Sequence, residues 1–232
     1  MNLIPQAARD VVGWALTPIV KLLIRMRVRP NVVSAAGTLV IVGSAAAFAL
    51  GKIHWGGFLL IVSGLFDMVD GRVAREGGMS TSFGAFFDST LDRVGESALF
   101  TGIAVFFLRG GVAPDQLTLA VVACFVALAA SLLVSYARAR AEGLGLTCRV
   151  GIAQRAERVI LLGAPTMFFG AGSRGALLFW IVVFLALVTA VTVVQRVIYV
   201  ARVAGTPAAE LPPRQRDPLP GPAPALRSRE GH

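Results

Sequence analysis

Apolar positions along this chain run in long blocks, broken by short segments that carry Gly or Arg, with no period-two alternation of the kind a half-buried strand would show. Six blocks, near residues 33–51, 55–75, 82–108, 115–141, 154–171 and 175–202, approach the roughly 20 apolar residues that cross a bilayer as a helix. The connections at 52–54, 109–114 and 172–174 are short and hold or border Gly, which predicts antiparallel neighbours. Ahead of them, residues 5–28 read as an amphipathic helix. Val12, Leu16, Ile19, Leu23 and Met26 fall on one side, and Asp10, Thr17, Lys21 and Arg25 on the other. Such a helix is expected to lie in the membrane interface, and Arg29-Pro30-Asn31 then turns the chain. From residue 205 the composition shifts to Pro, Arg and Glu, as in a disordered tail. The pattern therefore predicts an all-α integral membrane protein. It divides into a juxtamembrane segment at 1–32, six transmembrane helices within 33–204, and a cytoplasmic tail at 205–232.

Composition strengthens that reading. Hydrophobic residues make up 56% of the 232 positions and charged residues only 15%, against about a quarter charged in soluble domains. The net charge of +9 does not imply nucleic acid, because the basic residues lie scattered between apolar blocks without interleaved aromatics. They bear on topology instead. Of 22 Lys and Arg, only Lys52, Arg109 and Arg174 belong to the loops after the first, third and fifth blocks. By the positive-inside rule the opposite loops and both termini face the cytoplasm, in a multi-pass protein of the cell (inner) membrane. The first twenty residues contain Arg9, Asp10 and Pro18, so no cleavable leader is expected. Cys124 and Cys148 have no metal-ligand spacing and predict no disulfide.

Charge inside the apolar blocks changes the picture most. The second and third blocks read FDMVDGRVAREGGMSTSFGAFFDSTLDR, with Asp67, Asp70, Asp88 and Asp92. A carboxylate within a membrane span costs several kcal/mol and marks a functional site. Relative to Asp67, Asp70 lies at about −60°, Gly71 at about +40° and Ala74 at about −20° around a helix. Gly84, Asp88 and Asp92 follow at intervals of four residues and share a face of the next helix. If a turn at Gly77 and Gly78 folds the helices back as neighbours, the four carboxylates surround one cavity near the cytoplasmic face. Their mutual repulsion calls for cations, and an all-oxygen donor set suits Mg²⁺ or Mn²⁺ bridging to phosphates. Gly71, Ala74 and Gly84 leave room for a bulky ligand, and Arg75 offers a fork for a phosphate. An ion pathway, a structural ion-pair network and a non-catalytic lipid-binding protein remain alternatives at this point.

The pattern D-x-x-D-G-x-x-A-R, eight residues, G-x-x-x-D-x-x-x-D is filled at Asp67, Asp70, Gly71, Ala74, Arg75, Gly84, Asp88 and Asp92. It resembles the signature of the CDP-alcohol phosphotransferases, and the predicted layout is similar to that family over nearly the whole chain except the tail. The resemblance implies a di-metal centre on the four aspartates, with two Mg²⁺ or alternatively Mn²⁺. It implies that Asp67, Asp70, Gly71, Ala74, Arg75, Gly84 and Asn31 accommodate CDP-diacylglycerol, and that Asp92 is the general base. It also implies a homodimer among membrane lipids.

SYARARAEG at 135–143 and GIAQRAER at 151–158 bring Arg138, Arg140, Arg149, Arg155 and Arg158 to one region, with Arg196 near the end of the last block. Converging arginines suit an acceptor that is itself a phosphate ester. These segments resemble those of bacterial phosphatidylinositol phosphate synthases, and the matching acceptor-phosphate positions are Arg138, Arg155 and Arg196. Arg138 stands where Lys is usual, and Gln154 and Ala156 replace Glu and Pro. The implied reaction transfers a phosphatidyl group from CDP-diacylglycerol to inositol 1-phosphate. Synthesis of phosphatidylglycerol phosphate from glycerol 3-phosphate is the alternative within the family.

Overall fold

The computed structural model describes residues 6–148, 150–152 and 155–204, so the expected tail, the first residues of the juxtamembrane segment, Arg149 and Gln154 lie outside it. Among the described residues seven α-helices follow one another: α1 (Gln6–Arg25), α2 (Pro30–Ala49), α3 (Ile53–Glu76), α4 (Ser82–Phe106), α5 (Leu117–Glu142), α6 (Arg155–Phe169) and α7 (Ala176–Ala204). No strand occurs among the described residues. By length and apolar composition, three segments among the described residues are able to cross a membrane: Pro30–Ala49, Pro114–Glu142 and Ser173–Ala204. The outer surface carries large apolar side chains such as Phe125, Leu133, Trp180, Phe184, Leu187 and Val194. A soluble monomer does not present such a continuous apolar exterior, so these side chains belong in lipid.

Local chemistry sets the helix ends. Pro30 opens α2, where its missing N–H leaves nothing unsatisfied and its ring favours the extended Arg29 before it. After α3, Gly78 takes a left-handed φ of +63°, and the Met79 N–H returns to the Ala74 carbonyl at 2.9 Å. Thr81 then caps α4 by accepting the Gly84 N–H at 2.9 Å. At the far end of the bundle, α4 leaves through a π-helical turn at Phe107–Gly111.

Packing corrects one expectation. The Gly77–Gly78 turn does fold α4 back on α3, but the two are not close neighbours: α2 lies between them and packs against both. Small residues permit this. A Cβ at Gly95 of α4 would come within 2.8 Å of Ile41 on α2, and one at Gly102 would collide with the Ala45 carbonyl. On the other flank of α3, α6 approaches so closely that a Cβ at Gly57 would strike Thr166 and Met167. The chain of contacts continues from α6 to α7, α7 to α5 and α5 to α4. Helices α3, α6, α7, α5 and α4 thus form a ring, with α2 filling the wedge between its ends.

Among the described residues, helix α1 packs chiefly on α3, with Val33 of α2 joining the contact. Its buried stripe is Leu16 and Val20, set against Val33, Val69 and Val73, with Val12, Leu23 and Ile24 alongside. Ile19 and Met26, expected on the same side, instead point outward with Val11, Trp14 and Leu22. The stripe turns by about one residue because the valines of α3 take up Val20, which leaves a second apolar face uncovered. Cys124 and Cys148 are both buried free thiols.

Candidate functional site

The C-terminal part of α3 and the N-terminal part of α4 carry the acidic residues, with α2 as their common backing. One oxygen each of Asp67, Asp70 and Asp88 lies within 4.8 Å of the others. Asp70 is enclosed at 6% exposure, whereas Asp67 opens toward solvent. Asp92 stands one helical turn beyond Asp88 and outside this triad. Its Oδ1 is paired with Arg155, and its Oδ2 lies 3.3 Å from Arg93 Nη1. Arg155 also reaches Asp67 Oδ1 at 3.6 Å, so one guanidinium ties the fourth carboxylate to the triad. The donor set fits a hard divalent cation: three clustered carboxylates whose repulsion already draws an arginine, with no His or Cys in the cluster.

Three connected spaces surround these groups. A cavity of about 210 Å³ is lined by Asn31, Asp70, Gly71, Ala74, Arg75 and Gly84, together with Asp88 and several neighbours. Every residue expected to hold the CDP-linked lipid is there except Asp67. Its small residues have specific reasons. A Cβ at Gly71 would sit 3.2 Å from Arg75 Nη1, so the glycine lets the guanidinium lie over the helix. A Cβ at Gly84 would sit 3.0 Å from Thr81 Oγ1 and 3.2 Å from Asn31 Oδ1, crowding both the cap and the facing amide.

On the other side lies a larger cavity of about 560 Å³, lined by Asp92, Arg93, Glu96, Arg138, Arg155, Arg158 and Arg196, with Val134, Ser135 and Ala156. It opens within the ring, between α4, α5, α6 and α7. All three arginines expected for an acceptor phosphate reach it, although they differ in freedom. Arg138 is exposed and pairs with Glu142 at 2.9 Å. Arg196 is buried and donates to the Val134 and Val150 carbonyls, the latter at 3.0 Å. Arg155 is shared with the carboxylates. Arg140, crowded into the same sequence stretch, is exposed and does not line this cavity.

Between the two cavities is a narrow space of about 20 Å³, where Asp67, Asp70, Asp88, Asp92 and Arg155 meet with Ser34, Gly37 and Thr38. It shares Ser34, Asp70 and Asp88 with the smaller cavity, and Asp92 and Arg155 with the larger one. The four aspartates thus form a waist, rather than the floor of a single pocket.

Several of these residues had no place in the sequence reading. Arg93 follows Asp92 directly and faces the arginine cavity. Glu96 extends the Gly84–Asp88–Asp92 ladder by four more residues, a signal present in the sequence. Its Oε1 pairs with Arg158, and both side chains are nearly enclosed. Ser34, Met79 and Thr81 also line the smaller cavity, but as ordinary polar or apolar residues they carry no sequence signal.

The described helices of this membrane protein thus hold an acidic waist that joins a small-residue cavity to an arginine-lined one, a layout suited to a metal-dependent transferase. The chain belongs to the CDP-alcohol phosphatidyltransferase family, whose profile matches residues 27–192. It is similar to a Cutibacterium acnes phosphatidylinositol phosphate synthase, with 37% identity over 200 residues covering 82% of this chain and 95% of the relative. It is also similar to a Methanothermobacter thermautotrophicus archaetidylinositol phosphate synthase, with 36% identity over 197 residues covering 83% and 91%. Among solved structures it resembles Mycobacterium tuberculosis phosphatidylinositol phosphate synthase. The form in complex with manganese and citrate has a TM-score of 0.72 at 32% identity, covering 92% of this chain and 97% of that one. The form with CDP-DAG bound has a TM-score of 0.69 at 34% identity, covering 79% and 92%.

Proposed function

We propose that this chain transfers a phosphatidyl group from CDP-diacylglycerol to the hydroxyl of inositol 1-phosphate and releases CMP. The observation that carries the reading is the carboxylate waist. It gives the nucleotide side and the acceptor side separate cavities that meet only where the chemistry would occur. The relatives support the same acceptor: one is named for a phosphatidyl and one for an archaetidyl product, and both products contain inositol phosphate. The solved M. tuberculosis protein is described with CDP-DAG in one structure and with manganese in another, which supports the donor and a divalent metal.

In this account Asp67, Asp70, Asp88 and Asp92 hold two divalent cations, Mg²⁺ or Mn²⁺. When bound, these ions supply Lewis acidity at the phosphates and at the attacking oxygen. Asn31, Gly71, Ala74, Arg75 and Gly84 seat the CDP end of the donor, with Asp67 and Asp70 at its pyrophosphate. Arg138, Arg155 and Arg196 hold the acceptor phosphate, helped by Arg93 and Arg158. Asp92 takes the proton from the acceptor hydroxyl. That oxygen forms a bond to the phosphorus bearing diacylglycerol, the pyrophosphate P–O bond to the cytidylate breaks, and CMP leaves with the electron pair. Asp92 lies against Arg93 and Arg155, so an acceptor phosphate that engages Arg155 would draw that guanidinium away from the base.

We read α2 through α7 as six membrane crossings, with α1 in the interface and the carboxylate end, both termini and the site facing the cytoplasm of the inner membrane. The segments 1–32 and 205–232 flank this catalytic domain. Lys52, Arg109 and Arg174 lie at the turns of the opposite end, as the positive-inside rule asks. Helices α3, α4 and α6 are less apolar because their inner faces carry the site. The 15 residues of α6 extend only about 22 Å, short of the hydrocarbon thickness of ~30 Å, which would sink Arg155 below the membrane surface. A homodimer is assigned on the family likeness. CMP release by the purified enzyme with CDP-diacylglycerol, divalent metal and inositol 1-phosphate tests the function. Release with glycerol 3-phosphate instead would move the acceptor assignment.

A further inference from the structure

Arg72 occupies an unspecified position of the acidic motif, between Gly71 and Val73, and faces away from the waist toward α1. Its guanidinium makes three contacts. Nε donates to Glu76 Oε1 at 2.8 Å on its own helix, Nη2 donates to Thr17 Oγ1 at 3.1 Å, and Nη1 donates to the Gly13 carbonyl. Thr17 Oγ1 in turn donates to the same carbonyl at 3.0 Å. One side chain therefore fixes two successive turns of α1 to the turn of α3 that carries Asp70, Gly71 and Arg75.

Helix α1 adjoins the nucleotide-side cavity along two routes and reaches the arginine cavity by neither. Its C-terminal end leads through the turn at Arg27, which has φ of 55°, into Pro30, Asn31 and Ser34 of the cavity wall. Ile24 packs beside Gly77, which also abuts Met79, and Met79 lines the same cavity. The arginine cavity is built from α4, α5, α6 and α7, and among the described residues none of these packs extensively against α1. The opposite face of α1 exposes Val11, Ile19, Leu22 and Trp14, the last at 80%, with Met26 just beyond its end, and so offers itself to lipid.

We propose that Arg72 is a positioning residue that locks the lipid-seated helix α1 onto α3, and that this lock shapes the donor cavity without acting on the acceptor cavity. The proposal rests on the reading of the smaller cavity as the CDP-diacylglycerol site. An arginine is needed because only its fork reaches a carbonyl, a hydroxyl and a carboxylate at once.

The test compares wild type with Arg72→Ala, Arg72→Lys, Thr17→Ala and the Arg72→Ala/Thr17→Ala pair in lipid nanodiscs. Equilibrium binding of CDP-diacylglycerol is read together with KM and kcat for each substrate. Arg72→Ala is expected to raise the Kd and KM for CDP-diacylglycerol by about tenfold, as loss of a charge-assisted contact worth about 1.4 kcal/mol would, with the acceptor KM within about twofold. Lys at 72 is expected to restore part of the loss, and Thr17→Ala to raise the same constants by about threefold. The double variant should be little worse than Arg72→Ala alone, because both act through one clamp. Should Arg72→Ala prevent folding, Thr17→Ala still reads the clamp through the same split. Equal losses toward both substrates, independent effects of the two substitutions, or unchanged donor binding in a wild-type enzyme that does bind CDP-diacylglycerol would each overturn the clamp. Failure of wild type to bind CDP-diacylglycerol would overturn the functional reading, and this proposal with it.

Discussion

Asp70 and Glu96 are equally enclosed, at 6% exposure each, yet their charges are balanced in different ways. Glu96 has Arg158 against it. Asp70 has Asp67 and Asp88, with oxygens within 4.8 Å of one another; at an effective dielectric of ~20, like charges at such a separation repel by about 3–4 kcal/mol per pair. The first arrangement is self-sufficient and the second calls for a cation. Two outcomes follow at this scale. Removing either partner, by Arg158→Ala or Glu96→Gln, breaks a buried ion pair and is expected to cost about 3–5 kcal/mol; melting midpoints in detergent would show it, and a variant as stable as wild type would contradict it. Asp70→Asn should abolish high-affinity Mn²⁺ binding, read by electron paramagnetic resonance of the ion without any turnover. Retention of two tightly bound Mn²⁺ by that variant would contradict the assignment. The four aspartates and the small residues beside them were legible in the sequence, because their spacing follows the helical repeat. The ion pairs of Arg155 with Asp92 and Asp67 were not, since they join side chains more than 60 positions apart, or nearly 90, in one cavity.

At the scale of elements, the wedge of α2 between α3 and α4 decides the form of the site. The spacing in the chain predicts that α3 and α4 turn back on each other, and their acidic faces do meet, but across a gap that α2 holds open from behind. Nothing in the pattern of apolar residues distinguishes a direct neighbour from one separated by a third helix. The glycines of the α2–α4 contact therefore matter to function from a distance. Gly102→Val would drive a side chain into the Ala45 backbone, and its destabilisation is expected to exceed ~1–3 kcal/mol, the usual cost of overpacking, since backbone cannot rotate away. Thermal unfolding measures it, and a variant as stable as wild type would show that the helices can separate freely. Helix extents were read well from sequence, while the face that α1 turns toward α3 was misjudged by about one residue. Its apolar residues surround much of the helix, so amphipathicity alone could not choose between Ile19 and Val20.

Across the whole molecule, charge separates the two sides of the waist. The cavity that includes Asp70 and Asp88 has Arg75 as its only basic lining residue among those described, while the other gathers five arginines around Asp92 and Glu96. Loss of one exposed arginine from the second group should therefore act on one substrate only. Arg138→Ala is expected to raise the KM for a phosphorylated acceptor by about tenfold, leaving that for CDP-diacylglycerol within about twofold, as befits one charge-assisted contact. Steady-state kinetics with each substrate varied in turn would show it.

The proposed reaction is a transfer at the waist between a CDP-linked lipid and a phosphorylated polyol. Its most direct measurement is CMP release by purified protein with CDP-diacylglycerol and Mg²⁺, comparing inositol 1-phosphate, glycerol 3-phosphate, free inositol and serine. Release is expected with inositol 1-phosphate, stopping on chelation of the metal and in Asp92→Asn, and falling steeply in Arg155→Ala. Release with free inositol or serine at equal efficiency, or release that persists in Asp92→Asn, would contradict it.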